Sequence, residues 1–347
     1  MSVCREAAMR EKVCDIFLQR EKDILSKHAF LTANTRGRKH AYTPCINRTE
    51  FQRDRDKIIH SKAFRRLMHK TQVFLLPIDE HYRNRMTHTL EVTQIARIIA
   101  RALRLNEDLA EAGALGHDLG HTPFGHAGEE VMRKCYSPDF SHSEQSLRVV
   151  EKLENNGEGL NLTYEVRDAI RWHNGETLAS TLEGTIVKFA DRIAYINHDI
   201  DDALRGGILQ YDDIPRDILS VLGDTHSRRI NRMVSSLIYA SENMDSIQME
   251  PHVWEATCNL RAFLFDTVYK NPIAKGEEKK AKLMLEGLYD YFINNPERMP
   301  AFFIKIAENE GLSRAVCDYV SGMTDRYAID TFKKIYIPLS WKVDNND

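Results

Sequence analysis

Residues 114–130 read ALGHDLGHTPFGHAGEE, and the fold follows from what this stretch needs around it. His117 and Asp118 are adjacent, so on a helix their side chains stand about 100° apart and flank an edge where a cation can lie. His121 follows one turn later on the same face. Gly116, Gly120, Gly125 and Gly128 crowd the same segment, and each would weaken a helix by about 1 kcal/mol relative to alanine. Glycines that dense, beside charge-bearing side chains, point to close approach of backbone or ligand and not to simple apolar packing.

Outward from this segment the apolar spacing is helical almost throughout. Ile59, Ala63 and Leu67 recur at four-residue steps within 51–70. Leu90, Ile95, Ile98, Ile99 and Leu103 mark a helix over 87–105, with Thr87 as its cap. Residues 109–119, 143–153, 164–172, 185–204, 228–241, 253–269, 279–294 and 312–334 read as helices too. Only FLLPI at 74–78 and YIPLS at 336–340 suggest strands. Gly, Pro and Asn gather between these elements without forming a long linker. The expected fold is all-α: an N-terminal arm over 1–47, a core over 48–215, and a C-terminal helical extension over 216–347 packed on it.

The 347 residues are 42% hydrophobic and 29% charged, with a net charge of −3. That composition is globular and excludes a generally basic nucleic-acid binder. The sequence contains neither a run of 18 apolar residues nor an N-terminal apolar signal core, so no membrane partner is expected. Six scattered cysteines without a Cys-x-x-Cys pair fit a reducing compartment, and the expected location is cytoplasmic. Two local biases stand out. Residues 52–104 hold 12 Lys and Arg against 5 Asp and Glu, which is either a solvated helix face or a polyanion site. Eight of the 14 histidines fall between His60 and His142, and imidazole is both a common metal ligand and the physiological acid and base.

A metal at His117 and Asp118 needs more ligands. His88 opens a helix in RMTHTLEV, and Asp191 sits in KFADRIAYINHDID. Together they complete a two-His, two-carboxylate set on three helices. Nitrogen and oxygen donors without thiolate suit Mn, Fe, Co, Zn or Mg and leave positions open for water and substrate.

In this order and context, the motifs resemble the HD-domain phosphohydrolases, an all-helical metal-dependent superfamily. RTEFQRDRDKIIHSKAFRRLMHKTQVF at 48–74, RNRMTHTLEV at 83–92 and GHDLGHTPFGHAGE at 116–129 are similar to its bacterial dGTP triphosphohydrolase branch. The resemblance is strong over 48–205 and continues more weakly to about residue 292. It implies a divalent cofactor, Mn²⁺ or Mg²⁺ first, and hydrolysis of a deoxynucleoside triphosphate to deoxynucleoside and tripolyphosphate by water attack at the α-phosphorus. Implied partners are the dNTP substrate, an activating dNTP and further copies of the chain. Single-stranded nucleic acid is compatible with the local positive charge, but no aromatic platform accompanies it.

The resemblance also implies roles. His126 and Glu129 share a face at i, i+3 and match a catalytic histidine with its acidic partner; read alone, a surface helix pair is the favoured reading. Arg85 and His142 match phosphate contacts, with a helix-capping or surface role as the plainer reading of His142. His121 matches a residue supporting the metal or phosphates. Asp191, Tyr195 and Asp199 form one stripe about 12 Å long, with Arg192 at its edge. Arg192 and Tyr195 correspond to phosphate and sugar contacts and Asp199 to a sugar-hydroxyl contact, though Tyr195 also reads as a core aromatic. Gln72 matches a contact to the deoxyribose 3′-OH, beside Val73 on the sugar wall. Arg261 and Tyr269 have the spacing of a distal Arg/Tyr pair, with helix packing as the alternative. His69, Lys70, Arg65 and Arg66 are expected to add positive potential. His60, His81, His173 and His198 are unassigned, His173 in RWHNGE being the most suspicious.

Two other functions compete with the triphosphohydrolase: an HD-type phosphodiesterase or nucleotidase, and a nucleotide-sensing or nucleic-acid-binding protein of low turnover. A pure binder needs neither the metal set nor the His126–Glu129 pair.

Overall fold

The computed structural model describes residues 12–72 and 81–338. Among them are sixteen α-helices and no strand. They are α1 (Val13–Ile24), α2 (Glu50–His60), α3 (Lys62–Arg66), α4 (Arg85–Ala102), α5 (Glu107–Gly116), α6 (His126–Cys135), α7 (His142–Arg148) and α8 (Tyr164–Trp172). The second half adds α9 (Leu182–Arg205), α10 (Arg216–Leu222), α11 (His226–Ser241), α12 (Pro251–Leu264), α13 (Pro272–Asn294), α14 (Ala301–Glu310), α15 (Leu312–Ser321) and α16 (Asp325–Tyr336). Val73 and the 74–78 strand candidate lie outside the described residues. Of the 336–340 candidate, Tyr336 is the last residue of α16, and 339–340 lie outside the described residues.

Capping residues cut the helices more finely than the apolar periodicity does. Ser61 is extended (φ −69°, ψ 156°), ends α2 and caps α3 by accepting from Phe64 N at 3.1 Å, so 51–70 is two helices. Residues 312–334 divide in the same way: α15 ends on Gly322, and Thr324 caps α16 through Tyr327 N. Helix α4 begins two residues before Thr87. Asn84 caps it by accepting from Thr87 N at 2.9 Å, and Thr87 Oγ1 accepts from Asn84 N at 3.1 Å, a reciprocal capping box. Helix α5 stops at Gly116, so His117–Gly120 is a turn and His121 lies beyond it. The expected helical stacking of His121 over His117 is replaced by a loop.

Among the described residues, buried apolar side chains form three clusters. The largest joins α4, α5 and α9 to α10, α11 and α12, running from Val92 to Val268. A second packs α2, α3 and α8 against the opposite side of α5. The third gathers Phe124, Ala127, Val131 and Met132 with α13–α16. Helix α5 is thus buried on both sides: Ala110 and Ala114 enter the first cluster, and Leu109, Ala112 and Leu115 the second. Its C-terminal end, where His117 begins, is among the most tightly held points of the chain.

Candidate metal centre

Helices α4, α5 and α9 pack on one another, and each delivers part of one cluster. The first turn of α4 carries Arg85 and His88, the turn that follows α5 carries His117 and Asp118, and the middle of α9 carries Asp191. His88 Nε2 lies 3.1 Å from Asp191 Oδ1, and His117 Nε2 lies 3.8 Å from the same oxygen and 3.7 Å from Asp118 Oδ1. Ligand atoms of His88, His117 and Asp118 fall within 4.8 Å of one another. His117 Nδ1 donates to Ala114 O at 2.6 Å, which leaves Nε2 as the bare lone pair, buried without a hydrogen-bond partner. A backbone carbonyl fixing one ring nitrogen so that the other can ligate is the usual support of a metal-binding histidine. The side chains of His88, His117 and Asp118 are 1–3% exposed, whereas Asp191 keeps 21%, so the cluster opens on the Asp191 side.

Charge keeps both carboxylates ionised. Burial opposes it, but Arg85 Nη1 at 2.8 Å from Oδ2 and the neighbouring histidines hold Asp118 well below the ordinary carboxylate range. Burial likewise works against the Asp191 charge, but the His88 hydrogen bond and the adjoining His117 ring hold that carboxyl well below the ordinary range. The donor set suits a divalent cation with nitrogen and oxygen preference.

A run of imidazoles continues from this point. His117 and His173 ring centroids are 5.1 Å apart, those of His173 and His142 5.2 Å, and those of His142 and His121 4.7 Å in a stacked pair. His173 Nδ1 donates to Ile170 O at 2.7 Å, so its Nε2 accepts. His142 Nε2, 3.2 Å away, is then the donor. His142 Nδ1 faces both Glu129 oxygens at 3.3 and 3.4 Å as a second donor. With both nitrogens protonated His142 is an imidazolium: burial works against the charge, but Glu129 raises its pKa. His173 stays neutral, its pKa lowered to about 3 by burial and by His117 and His142. His121 is also held neutral, by burial and then Arg85, and its Nδ1 has no partner. It belongs to two further converging groups, with Asp118 and His142 and with His126 and Glu129.

Glu129 is the hub beside these rings. It accepts from Arg133 Nη2 at 2.7 Å and from His142 N at 3.2 Å, and lies 3.4 Å from His126 Nδ1. Burial would raise its pKa, but the hydrogen bonds of the His126 and His142 rings and the His142 charge hold it far below the ordinary value. The His126 side chain is 81% exposed, a free ring anchored at one edge.

Farther along α9, Asp199 accepts the Tyr269 hydroxyl, and the Arg261 charge acts on Tyr195. The Arg261/Tyr269 pair therefore meets the α9 stripe. Burial pushes the Asp199 carboxyl up to about 7. Asp199 Oδ1 and Gln72 Oε1 are buried acceptors without partners. Arg192 is placed differently, its guanidinium 4.9 Å above the Trp254 ring. Lys70 is also turned away from the cleft, bonding His121 O and Ser321 O. Much of the positive excess of 52–104 is occupied by carboxylates beyond it: Arg55 by Glu111, Arg83 by Asp201 and Asp202, Arg97 and Arg101 by Glu107. Three residues of the site were not assigned from sequence: His173, noted but given no role, Arg133, legible as i+4 from Glu129, and Asp325, for which no local signal exists.

This sequence is 55% identical over 334 residues to a deoxyguanosinetriphosphate triphosphohydrolase-like protein of Caldanaerobacter subterraneus subsp. tengcongensis, covering 96% of this chain and 98% of that one. It is 48% identical to proteins of the same description from Desulfatibacillum aliphaticivorans (95% and 98% covered) and Clostridium perfringens (92% and 96% covered). The HD domain profile matches residues 85–196, which span all four proposed ligands. The chain belongs to the deoxyguanosinetriphosphate triphosphohydrolase-like family of HD-domain proteins. A phosphohydrolase-associated domain profile matches residues 247–334. A crystal structure of a Bacteroides thetaiotaomicron phosphohydrolase shares the fold at a TM-score of 0.52 and 18% identity, covering 81% of this chain and 68% of that one. The family makes this chain an HD-type phosphohydrolase, a metal-dependent class, and no helix among the described residues is long and apolar enough to cross a membrane.

Proposed function

We propose that this phosphohydrolase cleaves deoxynucleoside triphosphates, dGTP preferred, to the deoxynucleoside and inorganic tripolyphosphate. The observation that carries the reading is the junction of two unlike electrostatic sites. Four ligand side chains converge around the bare Nε2 of His117, and the Arg85 guanidinium and the His142 imidazolium adjoin them. The names of the relatives supply the substrate class.

In this reading His88, His117, Asp118 and Asp191 hold Mn²⁺ or Mg²⁺. Such a cation, when bound, supplies Lewis-acid stabilisation at the α-phosphate and lowers the pKa of water. Arg85, His142 and His121 face the phosphates, with Arg192 joining them once it leaves Trp254. His126, oriented by Glu129, gives its proton to the departing 5′ oxygen and recovers one from solvent. Gln72 Oε1 and Asp199 receive the sugar hydroxyl, and Tyr195, Arg261 and Tyr269 close the far end. Two unpartnered buried acceptors are what a donor-bearing ligand satisfies.

The test is anion-exchange separation of products after metal-loaded protein meets each dNTP and rNTP. Tripolyphosphate in equal yield with a deoxynucleoside is the expected result. Release of orthophosphate or pyrophosphate alone moves the assignment to another HD hydrolase, and equal rates with ribonucleotides remove Gln72 from sugar selection.

A further inference from the structure

One carboxylate of the phosphohydrolase-associated region reaches both of the loops that lead to the centre. Asp325 is the first residue of α16 and 1% exposed, yet it does not serve its own helix, which is capped by Thr324. Its Oδ2 accepts from Thr71 N at 2.9 Å and Thr71 Oγ1 at 2.7 Å, and its Oδ1 accepts from Phe124 N at 2.9 Å. Both oxygens are thus committed to loops more than 200 residues away in sequence.

Each loop leads straight to the centre. Thr71 O accepts Arg85 Nε at 3.1 Å and Gln72 O accepts Arg85 Nη2 at 3.4 Å, while Arg85 Nη1 holds Asp118 at 2.8 Å. Phe124 stands at φ +58°, a conformation bulky residues rarely adopt. Its carbonyl accepts from Ala127 N at 3.2 Å, in the first turn of the helix that begins with His126. A second bond crosses the same seam in the same direction, from Lys70 Nζ to Ser321 O, while Lys70 also holds His121 O.

We propose that Asp325 is a positioning residue for the phosphohydrolase: it sets Arg85 through Thr71 and His126 through Phe124, coupling the C-terminal helices to catalysis. The proposal rests on the functional reading above for the roles of Arg85 and His126. A purely structural role is the alternative, and the two differ in what they move. Outer partners that aim reacting groups change turnover by about 10- to 100-fold while leaving the fold in place. A packing defect lowers stability and the amount of active protein instead.

The experiment uses Asp325→Asn in the full chain. Asparagine keeps the shape but presents an amide N–H₂ to one of the donors, so one branch is lost. Measured together are kcat and KM for dGTP, metal per chain, the melting temperature, and ¹⁵N-imidazole resonances of labelled histidines. The expected result is a kcat lower by at least 10-fold at unchanged metal content, with the His126 or His121 ring signals displaced. If the variant does not fold, Thr71→Val, which removes only the Oγ1 bond, must lower kcat at full metal content. Unchanged kcat and unchanged ring signals, or a loss matching only the fraction of folded protein, overturns the proposal. Wild-type protein that turns over no dNTP refutes the functional reading instead. The histidine spectra then still decide whether Asp325 positions the loops.

Discussion

Gly120 is the most demanding glycine of the HD segment, and replacing it with alanine tests the packing logic of the centre. A methyl group there would stand 2.1 Å from Ser146 N and 2.3 Å from Gln145 C, where 3.4 Å begins ordinary contact. The backbone in the middle of α7 would have to retreat by 3.4 − 2.1 = 1.3 Å. No rotamer change can relieve the clash, because the obstructing atoms are main chain. Overpacking of this kind typically costs about 1–3 kcal/mol. The retreat also breaks the 2.9 Å bond from Gly120 N to Ser146 Oγ, which adds about 1 kcal/mol. A loss of about 2–4 kcal/mol is therefore expected from a total stability of about 5–15 kcal/mol. Gly120 lies between Asp118 and His121, so metal affinity should fall with it. Urea unfolding with metal analysis checks both, and Gly276→Ala serves as the control. No atom lies within 4 Å of the Cβ that change would add within α13, and helix propensity predicts a gain of about 0.5–1 kcal/mol. A Gly120→Ala protein within 1 kcal/mol of wild type would falsify the close-approach argument, whatever the control does.

Asp191→Ala should abolish stoichiometric metal binding without unfolding the chain, and chelation of the wild type should abolish turnover with recovery on adding Mn²⁺; metal retained at full occupancy by the variant breaks the proposed ligand set. His126→Ala should lower kcat by about 10²–10⁴-fold with metal content intact, and a smaller change assigns the leaving-group proton to another donor. Glu183, buried beneath Phe30 N and Asn106 N, has its pKa raised to about 7 by burial. Because the folded pKa exceeds the unfolded value, the folded state binds more protons across roughly pH 4.5–7, and stability drops as pH climbs through that window. Glu183→Gln should remove the dependence, improving relative to wild type by about 3 kcal/mol between pH 4.5 and 8; parallel denaturation curves at both pH values would show that the group titrates normally.

Much of the centre is legible in the chain because helical chemistry is local. Adjacency of His117 and Asp118, the four-residue steps of Asp191, Tyr195 and Asp199, and the spacing of His126 and Glu129 all follow from one rotation per residue. The same periodicity settles the all-α class. It does not settle where helices stop, because a serine or threonine that caps one helix breaks a continuous apolar pattern without altering it, as at Ser61 and Thr324. Nor does it tell which function a glycine serves: Gly120 is demanded by backbone 25 residues away, and Gly116 by Ile170.

What tertiary structure alone decides is how polar groups are shared between distant segments. His142 has its pKa raised by Glu129 on α6, and its other nitrogen meets His173, whose own Nδ1 bonds a carbonyl on α8. Arg192, beside a ligand in sequence, is drawn to Trp254 on α12. Asp325 binds loops that it follows by 201 and 254 positions. Sequence determines the donors, acceptors and helical faces this protein carries. Only the packing of α5, α7, α9 and α16 decides which partner each buried group finds, because a hydrogen bond or ion pair is set by distances of a few ångströms that chain separation does not encode.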